Sequence, residues 1–130
     1  MDAAAPLRER LAAACEGLVY SSESDRPLHV FFREAPAAPA PLDAAAFALL
    51  VGAAPDDPVE TRSLDRFLAR HIDMVDPADA LAWERLPRYE ALKALLVSEL
   101  YGVTVYRIGR VQVRCYAVGH DAAGNLAGIE

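Results

Sequence analysis

The stretch YRIGRVQVRCYAVGHDAAGNLAGIE, Tyr106 to Glu130, decides the fold. Its hydrophobic residues alternate on either side of a glycine, the pattern of two strands joined by a tight turn. If Gly109 and Arg110 form a two-residue turn, with the glycine supplying the positive φ, Ile108 faces Val111, Tyr106 faces Val113 and Thr104 faces Cys115. Tyr106, Ile108, Val111, Val113 and Cys115 then share one mostly apolar face. The opposite face carries Val103, Val105, Arg107, Gln112, Arg114, Tyr116 and Val118, apolar toward the base and polar toward the tip. A sheet that is apolar on both sides at its base must be covered on both sides, so helices are expected on each. His120 to Gly124 turns the chain again, and Asn125 to Ile129 is read as a third, short antiparallel strand.

The residues upstream supply those helices. Leu7, Leu11, Ala14, Cys15 and Leu18 recur at helical spacing, Pro6 sits in the first turn and Gly17 ends the helix. Ser21 to Arg26 reads as a loop of short hydroxyl and acidic residues, and Leu28, Val30, Phe31 and Phe32 as the first strand after Pro27. The Pro/Ala-rich run from Ala35 is a semi-rigid connector leading to a short helix, Asp43 to Val51, stopped by Gly52. Val59 to Arg62 reads as a short edge strand, and Ser63 as the N-cap of a helix from Leu64 to Arg70. Asp76 and Pro77 mark a further helix start. Pro87 then predicts a break between a turn of helix around Ala78 to Glu84 and a longer helix, Arg88 to Leu100, whose stripe is Tyr89, Leu92, Leu95, Leu96 and Leu100.

Bulk properties fit a single domain over residues 1–130: with 54% hydrophobic residues, a chain of 130 can bury a core without disulfides or a structural metal. The balance of 19 acidic to 13 basic residues, a formal charge of -6, disfavours direct nucleic-acid binding and suits a partner with a cationic groove. No run approaches the roughly 20 apolar residues of a membrane span, and the N-terminus lacks the apolar core of a signal peptide. A cytoplasmic protein, monomeric when free, is the expectation. Cys15 and Cys115 read as small buried hydrophobes.

Catalytic patterns are sparse. No GxSxG elbow, phosphate-cradling glycine loop, CxxC or HExxH occurs, so neither catalytic residues nor a cofactor are expected. His71 with Asp73 and His120 with Asp121 are the local pairs that could serve a small hydrolase or ligand sensor, the alternative reading. Trp83 reads as a core or helix-docking anchor, or as an interface residue. Glu23 stands out, because Ser22 and Ser24 flank it in a run whose hydroxyls and carboxylates build tight turns. A carboxylate held on such a turn can enter a partner's cleft and offer a hard oxygen ligand to a divalent cation there.

Across most of the chain the sequence resembles the nuclease A inhibitor family. The residues that carry the likeness are Leu11, Ala14, Gly17 and Leu18, then Ser22-Glu23-Ser24, Pro27, Val30 and Phe31, then the leucine-spaced helix ending at Leu100. Tyr106-Arg107-Ile108-Gly109 and the AGNLAGI motif of Ala123 to Ile129 complete it. The resemblance implies a three-layer α/β/α sandwich with a largely antiparallel sheet, like that of pathogenesis-related plant proteins. It also implies a non-enzymatic protein that blocks a metal-dependent, sugar-nonspecific nuclease. In that mode Glu23 approaches the nuclease's divalent metal, with Ser22, Ser24, Trp83 and Glu130 as further partner contacts. Two stretches depart from the pattern. The sequence ends at Glu130, where family inhibitors carry a short tail whose terminal carboxylate reaches the nuclease, so that contact is expected to be missing. His71 to Trp83 differs from the family's acidic, tryptophan-bearing loop, with Trp83 several residues late and Pro77 near the expected aromatic.

Overall fold

The structure, a computed structural model, describes residues 4–21, 25–33, 44–54, 56–110, 113–122 and 124–130. Its elements run α1 (Ala4–Cys15), β1 (Val19–Ser21), β2 (Asp25–Pro27), β3 (Val30–Arg33), α2 (Ala44–Leu50) and β4 (Val59–Arg62), then α3 (Leu64–Ile72), α4 (Ala80–Glu99), β5 (Tyr101–Ile108), β6 (Arg114–His120) and β7 (Leu126–Ile129). The fold is mixed α/β: β3 to β7 form a five-stranded sheet in the order β3-β7-β6-β5-β4, every pairing antiparallel, and β1 and β2 form a separate two-stranded hairpin. The expected edge strand is β4, at one margin of the sheet. Most of the Pro/Ala connector, residues 34–43, lies outside the described residues.

Alternation along the strands sends side chains to two cores. Val105, Ala117, Ala127 and Ile129 pack with Leu7, Leu11 and Cys15 of α1, Leu64, Phe67 and Leu68 of α3, and Tyr89, Leu92 and Leu96 of α4. Phe31, Tyr106, Ile108, Tyr116, Val118 and Leu126 pack with Phe47 and Ala48 of α2. Phe47 is fully buried, stacked on Tyr106 at 4.3 Å and edge-on to Tyr116 at 5.3 Å.

The β5–β6 register differs from the sequence expectation. Tyr106 pairs with Tyr116, Arg107 with Cys115 and Ile108 with Arg114, a slide of three positions that puts Tyr116 where Val113 was expected. An odd slide reverses faces. Cys115 therefore joins the α1/α3/α4 core while Tyr106 and Ile108 face α2, and Val113 lies outside the strand, 41% exposed. Gly109 has the expected positive φ, but the connection is longer than two residues; Val111 lies outside the described residues. The observed register places both tyrosines against Phe47 and leaves the small Cys115 and Ala117 beneath the larger helical layer. The expected pairing would have sent Tyr116 to that crowded side.

Two other differences concern helices. The predicted break at Pro87 is absent: α4 runs from Ala80 to Glu99 with Pro87 inside it. Pro87 has no N–H for the carbonyl of Trp83, but both residues lie on the exposed side of the helix, where water can take the freed acceptor. Its N-cap is Asp79, whose side chain accepts from the Ala82 N–H at 3.1 Å, while Asp76 accepts from Ala78 in the preceding turn. Ser63 caps α3 as expected, accepting from the Arg66 N–H at 3.2 Å.

Gly128, the second glycine of AGNLAGI, has a packing reason. A Cβ there would lie 1.9 Å from the Ala117 carbonyl oxygen of the neighbouring strand, so only glycine lets β6 and β7 close at this point.

Candidate partner-binding site

The β1–β2 hairpin, expected as plain loop, is built around Val19. Tyr89 of α4, buried in the core, donates its hydroxyl to the Val19 carbonyl at 2.5 Å and accepts from the Val19 N–H at 3.2 Å. The backbone groups of Val19 therefore point away from β2, and Pro27, its cross-strand partner, has no ladder bond to supply. One phenol takes the place of a neighbouring strand. Leu28 continues the pairing through its N–H to the Leu18 carbonyl at 3.0 Å, with Leu18 and Leu28 both buried beneath. On the next residue, Tyr20 stacks on Phe67 of α3 at 4.3 Å. The hairpin is thus bound to two helices at its root.

Its far end is closed by the Ser21–Asp25 pair, and the residues joining that pair, Ser22, Glu23 and Ser24, lie outside the described residues. The other partner-contact candidates are described. Trp83 lies on the N-terminal part of α4 ahead of Tyr89 and is 53% exposed, which removes the core alternative for it; Leu81 in the same turn is also exposed. Glu130 is exposed, and its backbone exchanges two hydrogen bonds with His29, at 2.8 and 3.0 Å, next to Leu28 at the hairpin root. The root is therefore joined through Val19 to α4, which carries Trp83, and through Leu28 and His29 to Glu130.

A groove of about 690 Å³ opens beside this root, lined by Cys15, Glu16 and Leu18 near the end of α1 and by Pro27, Leu28 and His29. Burial pushes the Cys15 thiol up to about 11, against a weaker opposing pull from Arg88, so the thiol is protonated at neutral pH and unreactive. Cys115 is half-buried, and the two cysteines are free thiols.

The histidine–aspartate pairs are held in structural contacts. His71 stacks flat on the Tyr89 ring at 4.3 Å, and the Asp73 N–H bonds to the Ala69 carbonyl at the end of α3. His120 pairs with Leu126 in the sheet. Asp121 is buried, and its two carboxylate oxygens accept from the Asn125 backbone N–H at 2.9 Å and side-chain amide at 3.2 Å, clamping the turn before β7. Among the described residues no group of three His, Cys, Asp or Glu side chains is placed to hold a metal, and no helix is long and apolar enough to cross a membrane.

The Tyr89–Val19 clamp was the feature sequence reasoning missed. Tyr89 was read only as one residue of a buried stripe; the unused donor and acceptor of a buried phenol were the available signal. No curated protein matches the chain. The family model described as nuclease A inhibitor-like protein matches residues 5–130, and the chain belongs to that family.

Proposed function

We propose that this protein is a non-enzymatic inhibitor of a metal-dependent, sugar-nonspecific nuclease, and that it presents Glu23 from the tip of the β1–β2 hairpin to the nuclease's divalent metal. The observation that carries the reading is the family match over residues 5–130, to which the anchoring of the hairpin by Tyr89 gives a physical basis. A tip on a root fixed to two helices loses less freedom on docking than a free loop would. A glutamate carboxylate is a hard oxygen donor, able to replace a water on a cation that the partner holds. The formal charge of -6 supports encounter with a groove built for polyanionic substrates, since complementary fields raise association rates. Ser22 and Ser24, its neighbours in sequence, with Trp83 and Glu130, are the further contacts in this reading.

Helices packed on both faces of the antiparallel sheet support the three-layer α/β/α reading, with its likeness to pathogenesis-related proteins. The protein acts as a cytoplasmic monomer until it meets the nuclease, and has no turnover of its own. Calorimetric titration of the nuclease, with and without its divalent metal, tests the role of Glu23. Glu23→Gln keeps shape and hydrogen bonding but removes the charge, so it is expected to weaken metal-dependent binding as strongly as Glu23→Ala, with melting temperature nearly unchanged. Unaltered affinity in both variants would return Glu23 to an ordinary turn residue.

A further inference from the structure

On the sheet face covered by α1, α3 and α4, strand pairing sets Arg107 of β5 between Glu60 of β4 and Cys115 of β6, and Arg62 shares that face two residues along from Glu60. Arg107 Nη1 lies 3.3 Å and Arg62 Nη2 3.6 Å from the same carboxylate oxygen, Glu60 Oε2. Two guanidiniums thus share one carboxylate, and the trio keeps an excess positive charge. Arg107 Nε is buried and has no hydrogen-bond partner, a donor for which the fold supplies no acceptor. The two arginine side chains are 23% and 29% exposed, withdrawn from bulk water yet reachable.

Tyr20, stacked on Phe67, lies near enough to these arginines for their charges to act on its hydroxyl. Burial and then Cys115 push its phenol pKa up, and Arg107, Arg62 and Arg70 act on the same hydroxyl in the opposite sense. The phenol remains a protonated donor at neutral pH. This convergence of arginines belongs to a protein whose formal charge is -6, so composition does not account for it.

We infer that Arg62 and Arg107, with Tyr20 beside them, form a binding site for a phosphate group. Guanidiniums make strong, directional bonds to phosphate oxygens, and a tetrahedral dianion offers acceptors in several directions at once. It can take the accessible N–H groups of the Arg107 and Arg62 guanidiniums together, and a small shift of Arg107 would bring its orphaned Nε–H to the same anion, whereas a planar carboxylate presents two oxygens in one plane. The Phe67 ring and the Cys115 side chain limit water on the inner side, which strengthens each charged contact. This site stands apart from the nuclease-inhibitor reading and does not depend on it.

The test is titration calorimetry of the intact protein with inorganic phosphate and with phenyl phosphate at constant ionic strength, using acetate as the carboxylate control. Saturable one-to-one binding of both phosphates, with acetate silent, is the expected result. Arg107→Gln should weaken binding about tenfold or more, the scale of a lost charged hydrogen bond. Glu60→Gln should tighten it by freeing both guanidiniums, and that gain cannot come from a damaged fold. Arg110→Gln, which removes an exposed loop arginine bonded to the Asp56 carbonyl, should change nothing. Non-saturating heats, equal losses in Arg107→Gln and Arg110→Gln, no gain in Glu60→Gln, or acetate binding as tightly as phosphate would each overturn the assignment.

Discussion

Replacing Tyr89 with phenylalanine isolates the hairpin anchor, because it removes one oxygen and leaves the buried ring and its stack on His71 in place. That oxygen donates to the Val19 carbonyl and accepts from the Val19 N–H, so the substitution strands one backbone acceptor and one backbone donor. Leaving a buried polar group unpaired costs about 1–3 kcal/mol. Val19 is only half-buried, so water can recover part of that. The expected loss for the pair is about 1–3 kcal/mol, a fall of roughly 4 °C in melting temperature per kcal/mol for a chain of this size. Thermal melts give the total, and amide hydrogen exchange gives the place: protection should drop at Val19 and across the β1–β2 hairpin while β5, β6 and β7 keep theirs. Nuclease inhibition should weaken as well, since the tip would lose its fixed root. A melting temperature within about 1 °C of the parent, with Val19 still protected, would refute the clamp.

Gly128→Ala should destabilise by about 3 kcal/mol or more, read by denaturant melts, because its methyl would meet the Ala117 carbonyl oxygen at 1.9 Å and backbone must move. Phe47→Ala should cost about 3–5 kcal/mol and preferentially expose α2, which limited proteolysis can locate, since this fully buried ring packs on Phe31, Tyr106 and Tyr116. The Cys15 thiol, raised by burial from 9.0 to about 11, has its full contribution below the lower value, and that contribution disappears as pH climbs toward 11. Stability should therefore fall by about 2–3 kcal/mol across that window, and Cys15→Ala should flatten the decline in pH-dependent melts.

Much of the layout was legible because local signals agreed with tertiary packing. Val59 to Arg62 was bounded correctly as an edge strand, Ser63 caps α3, and Leu7, Leu11, Cys15 and Leu18 are buried as their spacing predicts. The β5–β6 register was not legible, because Cys115 and Ala117 on one side and Tyr116 and Val118 on the other are all apolar enough for a core. Alternation fixes a register only where one face is polar. What separates the two pairings is the size of the aromatic pocket around Phe47, which forms from three separate segments. Pro87 was misread for a related reason: a proline's cost depends on whether the carbonyl it frees can reach water, and exposure is a tertiary property. At the candidate site, the family likeness singled out Glu23, Trp83 and Glu130, but the bond from Tyr89 to Val19 spans 70 residues and left no local pattern. The arginine pair was hidden similarly, since Arg62 and Arg107 meet at Glu60 only when β4 pairs with β5.

The most direct test of the account is a titration of DNA hydrolysis by a sugar-nonspecific, divalent-metal-dependent nuclease, nuclease A and the source organism's own enzymes, against the intact protein and its Glu23→Gln variant. Nuclease activity is expected to fall to zero near one equivalent of the protein, Glu23→Gln to need a large excess for the same effect, and the protein alone to cleave nothing. Undiminished hydrolysis at high excess of the protein, or equal inhibition by Glu23→Gln, would contradict it.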